Sequence, residues 1–501
     1  MIQGTSSHVG KSLLCTALCR IFKQDGFRVA PFKAQNMALN SYVTLDGGEI
    51  GRAQGAQAEA AGVTATVTMN PVLIKPKQDM QAQVVVLGKP LADMSARDYR
   101  AKFLPQAVGL VKQSIEELRE EYQVLVIEGA GSPAEVNLKD RDIVNMRTAF
   151  LAEAPVLLAA DIDRGGVFAS LVGTLELLEP AERQKVAGFI INKFRGDLEL
   201  LKPGLEFLEQ RTGKPVVGVI PYLHDHGIEQ EDSVSLADYA SADAKAELDI
   251  AVMKLPRISN FTDFDRLARV PGVGLRFVGP GDTLGQPAAV ILPGTKNTIQ
   301  DLLYLKEKGF AEEIQELARK GVPVLGICGG FQMLGSRLCD PEGTEAGLGD
   351  IPGLGLIDME TTFFAEKQTH RCTAQVCCAA LEGDAMNNLV LTGYEIHTGQ
   401  VRLGPGVTPF VKITSRSEQA TNLLDGAVVN QGQILGTHLH GLFDNSQLLL
   451  TWINYLRKRQ GLQSMQANQL PDQREEKYDR LAEHVRQHLD MTKIYELMGM
   501  G

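Results

Sequence analysis

Short apolar runs alternate with segments of helical period through the first part of this chain. Runs at Arg28–Lys33, Val124–Ala130, Pro155–Ile162, Val186–Asn192 and Pro215–Ile220 each lead through Gly, Asp or Asn into amphipathic sequence. Unbroken apolar runs of this length suit strands covered on both faces, so residues 1–225 predict a doubly wound α/β domain built on a parallel sheet. Residues 226–247 are acidic, rich in small side chains and poorly periodic, and predict a linker carrying no more than a short helix. Strands resume at Asp249–Leu255, Val273–Val278, Ala288–Pro293 and Pro323–Cys328, which makes residues 248–450 a second α/β domain. Three later runs, Ala374–Ala380, Gly393–Thr398 and Gln433–His440, have no helices between them and predict antiparallel pairing at one side of a mixed sheet. Residues 451–501 read as a helical tail.

Composition narrows the class. The chain has 501 residues, is 44% hydrophobic and carries a net charge of −11 spread along its length, which disfavours a nucleic-acid platform. No apolar run approaches the roughly 20 residues that span a bilayer, and the N-terminus has no signal-peptide pattern. Seven cysteines without framework spacing point to reduced thiols and a cytoplasmic protein. Only Met1–Gln3 precede the first glycine-rich turn, so the sequence predicts a natural start upstream of Met1.

That turn, Gly4-Thr5-Ser6-Ser7-His8-Val9-Gly10-Lys11-Ser12, has the chemistry of a nucleotide-phosphate cradle. Backbone N–H groups and the helix dipole attract phosphate, Lys11 reaches the terminal phosphates of ATP, and Ser12 can hold Mg²⁺. Five residues separate Gly4 from Gly10, one more than in the common motif. A second metal ligand is expected at a strand end, and Glu128, closing Val124-Leu125-Val126-Ile127, is the candidate. Lys33, ending the second strand, is a candidate for phosphate or acyl-phosphate contact, and Asn192 ends its strand where a nucleotide base could hydrogen-bond. Asp161 and Asp163 either serve the site or cap the following helix.

A second glycine-rich turn, Gly326-Ile327-Cys328-Gly329-Gly330, places a cysteine between a buried strand and a helix start. This is the elbow that exposes a nucleophile in hydrolases, with a thiol in place of a hydroxyl, and a helix N-terminus favours thiolate. The N–H groups of Gly329 and Gly294 are candidate oxyanion donors. Gly436-Thr437-His438-Leu439-His440-Gly441 offers two histidines on one strand face, and spacing does not choose between them as general base. Glu395 and His397 share another strand face.

These motifs together resemble the cobyric acid synthases, glutamine-hydrolysing enzymes of cobalamin biosynthesis. The first domain is similar to dethiobiotin synthetase-like P-loop proteins through the Gly4–Ser12 spacing and Glu128-Gly129-Ala130-Gly131. The second resembles flavodoxin-like class I glutamine amidotransferases through the Cys328 elbow and Thr437–Gly441. Segments Phe32–Met37, Asn70–Pro76 and Arg257–Asp265 look specific to the cobyric acid synthases. The resemblance implies that Cys328 frees ammonia from L-glutamine with His440 as base. It implies that ATP and Mg²⁺ activate the b, d, e and g carboxylates of adenosylcobyrinic acid a,c-diamide, giving adenosylcobyric acid without nucleic-acid or membrane partners.

Two departures stand out. The glutamate usual two residues after the base is Leu442 here, which leaves a Cys–His dyad or a substitute such as Glu395. No aspartate aligns in Arg52–Glu59, where dethiobiotin synthetases supply a metal ligand. Two other readings are a ligase acting on a different carboxylate and a partition-type ATPase switch with a vestigial glutaminase.

Overall fold

A computed structural model describes residues 1–78, 81–139, 142–223, 227–228, 246–378, 381, 386–471 and 474–500. The chain forms two compact units: Met1–Ala38 with Glu49–Glu229 and Asp472–Gly501, and Leu39–Gly48 with Gln230–Pro471. Nearly all of the acidic stretch 226–247, expected as a linker, lies outside the described residues.

The first unit is built on parallel strands whose side chains are covered on both faces. Ile2–Gly4, Val156–Asp161, Val186–Phe194 and Val216–Pro221 pair in that order. Val29–Phe32 pairs in parallel with Val124–Ile127, and the bridge from Ile2 to Glu128 joins the two sets. All strand C-termini therefore meet one edge, where loops enter helices and ligands bind in such sheets. The first strand is only three residues long, yet Ile2, Gln3 and Gly4 are all buried. An antiparallel meander, Val72–Gln78, Gln81–Val86 and Lys89–Ser95, extends from Gln35–Met37. Val72–Lys75 is buried, whereas Lys89–Ser95 at the far side is mostly exposed.

Helix Arg474–Arg486 belongs to this unit and packs on Lys11–Gln24. Tyr478 and Leu481 join the apolar core of Leu14, Leu18 and Ile21. Arg20 fixes the pairing by donating to both Asp479 oxygens at 2.7 and 2.9 Å.

In the second unit the parallel order is Val273–Val278, Leu248–Met253, Ala289–Leu292, Val324–Ile327 and Ile434–Thr437, with Ala427–Val429 antiparallel at the edge. This corrects one expectation. The run ending at His440 is antiparallel to the preceding strand Ala427–Val429 on one side, but on its other side it lies parallel beside the strand that delivers Cys328. The residues between the two strands form a second sheet, in which Met359–Val376 pairs antiparallel with Val390–Leu403 and Val411–Arg416. That sheet supplies the crossover for which a helix is normally required. Of the expected run Ala374–Ala380, the last two residues lie outside the described set.

Two candidate centres, one in each unit

In the first unit the chain leaves Gly4 and turns back into the helix Lys11–Gln24 at Gly10, whose φ of 101° suits only glycine. A side chain at Gly10 would also strike Asn192 Nδ2 at 2.2 Å. Asn192, in the strand Val186–Phe194, donates to the Val9 carbonyl at 2.8 Å and so braces the loop. Lys11 Nζ donates to the carbonyls of Ser6 at 2.9 Å and Gly131 at 3.2 Å. These contacts curl its ammonium over the loop toward the Glu128–Gly131 turn. The loop also holds Thr5, whose N–H donates to Ala159 O at 3.0 Å.

Glu128 is the hub of this centre. It is sealed from solvent and accepts from Lys33 Nζ at 2.9 Å, Ser12 Oγ at 2.9 Å and Gln57 Nε2 at 2.6 Å. Burial alone would raise its carboxyl pKa, but the Lys33 charge and the three hydrogen bonds outweigh it and hold the group below the ordinary glutamate value. Gln57 is the member that sequence reasoning missed. It lies in the helix Arg52–Ala61, in the segment where no aspartate aligned, and reaches the same carboxylate. The Ser12 hydroxyl and Glu128 carboxylate form an adjacent oxygen pair that could hold a divalent cation. Asp161 and Asp163 do not cap the next helix. They are held by Lys193 and Arg195 at 2.9 Å each, while Gly166 stands at the helix start.

In the second unit Cys328 ends the strand Val324–Ile327 and starts the helix Gly329–Met333 with φ 52° and ψ −111°, a strained conformation for a side-chain-bearing residue. The turn is possible because Gly330 runs against the adjacent strand end: a Cβ there would stand 2.0 Å from Leu292 O. The Cys328 thiol donates to Ile396 O at 3.3 Å and lies near enough to His440 to contribute to the raised pKa of its imidazole. Gly329 and Gly294 flank it. A Cβ on Gly294 would reach His440 Cε1 at 2.9 Å, and one on Gly329 would reach Thr295 N at 3.3 Å.

The two histidines separate cleanly. His438 Nε2 faces Gln332 Nε2 at 3.2 Å, its Nδ1 donates to Asp425 Oδ1 at 2.7 Å, and its ring stacks on His397 at 3.9 Å. His440 faces the thiol, and its Nδ1 donates to Asp263 Oδ2 at 2.7 Å. Burial alone would lower the His440 pKa, but the Asp263 carboxylate, with a smaller contribution from Cys328, raises it to about 10. Glu395 stands apart from His440. Its carboxylate is paired with Arg416 Nε at 2.6 Å and lies 3.5 Å from His397 Nε2.

Comparison with known proteins supplies the remaining context. Residues 1–233 match the CobQ/CobB/MinD/ParA nucleotide binding domain, and residues 249–448 match the CobB/CobQ-like glutamine amidotransferase domain. A cobyric acid synthase of Desulforamulus reducens is 75% identical over 100% of this chain and 98% of its own length. Those of Pelotomaculum thermopropionicum and Dehalococcoides mccartyi strain CBDB1 are 54% and 50% identical, again over 100% of this chain and 96% and 99% of theirs. A nucleotide-binding unit and a thiol amidotransferase unit, matched end to end by these relatives, place the chain in the cobyric acid synthase family of glutamine-dependent ligases.

Proposed function

We propose that this enzyme performs the glutamine-dependent amidation of its family on the b, d, e and g side-chain carboxylates of adenosylcobyrinic acid a,c-diamide, consuming ATP and giving adenosylcobyric acid. Residues 1–225 act as the ligase and residues 248–450 as the glutaminase, in the cytoplasm. Among the described residues no helix is long and apolar enough to cross a membrane. The observation that carries the reading is the coexistence of Cys328 and the neighbouring His440 with the Lys11–Ser12–Glu128 cradle, in a chain aligned throughout with cobyric acid synthases.

In the glutaminase, His440 accepts the Cys328 proton and sulfur attacks the glutamine amide carbon, while Gly329 and Gly294 N–H groups stabilise the oxyanion. The C–N bond breaks as His440 returns the proton to the leaving ammonia. Water then hydrolyses the thioester to glutamate, again through His440. In the ligase, the loop Gly4–Gly10 and Lys11 bind the ATP phosphates, and Lys33 offers its ammonium to the phosphate or the incoming carboxylate. Asn192 keeps the loop closed around the nucleotide. Ser12 and Glu128 would hold Mg²⁺, which supplies charge neutralisation at the terminal phosphates. Phosphorylation of the substrate carboxylate gives an acyl phosphate, and ammonia displaces phosphate to leave the amide.

Glutamate release and corrinoid mass, followed with ATP and adenosylcobyrinic acid a,c-diamide, test this. Four successive carboxylate-to-amide conversions are expected, lost with glutamine in Cys328→Ala and restored by ammonium. Glutamate release with an unchanged corrinoid would reject the substrate assignment.

A further inference from the structure

The base of a thiol amidohydrolase needs an acceptor on Nδ1 so that Nε2 stays toward the sulfur. The local position for it, two residues after His440, is the buried Leu442. Among the described residues, two buried or nearly buried carboxylates close to the histidines are engaged by other partners. Glu395 is held by Arg416, and Asp425 accepts from His438 Nδ1 at 2.7 Å and from the Thr437 hydroxyl at 2.5 Å. Asp263, by contrast, takes His440 Nδ1 at 2.7 Å on one oxygen and Gly441 N at 2.9 Å on the other. We propose that Asp263 is the positioning carboxylate of the glutaminase, completing a Cys328–His440–Asp263 triad with a residue 177 positions upstream of the base.

The surroundings fit that role. Both groups are sealed, with the Asp263 side chain 3% and the His440 side chain 0% exposed, so the bond is not diluted by water. Asp263 rides on a turn fixed at several points. Asn260 adopts φ 53°, its Oδ1 accepts from Ser41 N at 2.9 Å, and its carbonyl accepts from Asp263 N at 3.0 Å. Phe261 N donates to Asn40 Oδ1 at 3.2 Å. On the open face of the imidazole the Tyr394 ring stacks at 5.0 Å and 13°. Among the described residues, the titratable groups facing His440 are Cys328, Asp263 and Tyr394. When His440 takes the thiol proton, Asp263 fixes the tautomer through its bond to Nδ1 and stabilises the imidazolium.

This proposal rests on Cys328 and His440 being nucleophile and base, and the test separates the two. Glutamate release by the full chain is measured across pH for wild type, Asp263→Asn, Asp263→Glu and Cys328→Ala, alongside thermal unfolding and ammonium-driven amidation. Asp263→Asn should lower glutaminase kcat by about 10²-fold or more, with glutamine KM within about threefold. The alkaline limb of its pH profile should move to lower pH, ammonium-driven amidation should persist, and Asp263→Glu should recover part of kcat. Glutaminase within about twofold of wild type and an unmoved profile in Asp263→Asn would overturn the assignment. So would parallel loss of both activities together with a lowered unfolding temperature, the mark of a purely structural role. Glutamate release by Cys328→Ala would instead reject the parent reading.

Discussion

Lys33 Nζ lies 2.9 Å from Glu128 Oε1, and neither side chain is more than 7% exposed. A buried ion pair of this kind contributes little by existing, but removing one partner strands a charge in a medium that cannot solvate it. Lys33→Met should therefore destabilise the first unit by about 3–5 kcal/mol, read by urea unfolding, whereas Lys33→Met with Glu128→Gln should recover most of the loss. Because the folded Glu128 pKa lies below its ordinary value of 4.5, the pair's contribution is present above about pH 4.5 and lost as pH falls through the lower folded value. Acid titration of stability should flatten in the double variant.

A matching dependence belongs to Asp425. Burial would raise its pKa, but His438, through charge and hydrogen bond, holds it well below the ordinary aspartate value of 3.8. Its stabilisation is complete above about pH 4 and disappears in stronger acid, so Asp425→Asn should cost stability at pH 7 and much less at pH 2. Equal losses at both pH values would remove the ion pair from the explanation. Since His438 faces Gln332 rather than the thiol, His438→Gln should leave more glutaminase than His440→Gln does.

Asn192 supplies a test confined to the nucleotide loop. Its amide donates to Val9 O at 2.8 Å, and Asn192→Ala leaves that buried carbonyl without this donor. A hydrogen bond worth roughly 1 kcal/mol translates into about a fivefold weaker ATP affinity, with glutaminase unchanged. Isothermal titration with ATP and a parallel glutamate assay check both halves. An unchanged ATP affinity would show that the loop closes without the brace.

The sequence exposed those parts of the fold and sites that are written locally. A strand, a glycine turn and a helix adjoin in sequence at Lys11–Ser12 and again at Cys328, so each centre announced one wall. The facing walls come from distant chain. Asp263 is 177 residues from His440, and its segment Arg257–Asp265 stood out only by resemblance, with no periodicity to show which side chain turns inward. Glu395 was the natural substitute because it shares a strand face with His397, but Arg416, from the next strand, engages it. The direction of Ile434–Thr437 was hidden for a related reason. A parallel partner normally follows a helix, and here an antiparallel sheet makes the return.

Asn40 offers the most demanding prediction, because it lies far from the thiol in sequence and belongs to none of the motifs. Residues Leu39–Gly48 belong to the second unit, and Asn40 is fully buried there with its Oδ1 accepting from Phe261 N at 3.2 Å. Asn40→Ala leaves a buried N–H without this acceptor on the turn that carries Asn260 and Asp263, at a cost of about 1–3 kcal/mol. That strain falls on the orientation of His440 rather than on its chemistry. The expected result is a drop in glutaminase kcat with glutamine KM little changed, and a slower reaction of Cys328 with a thiol-alkylating reagent at neutral pH. Asn40→Asp, which keeps the acceptor oxygen, should retain more activity than Asn40→Ala. The reverse order would mean that the turn holds its shape without Asn40 and that Asp263 is positioned by its own bonds to His440 and Gly441.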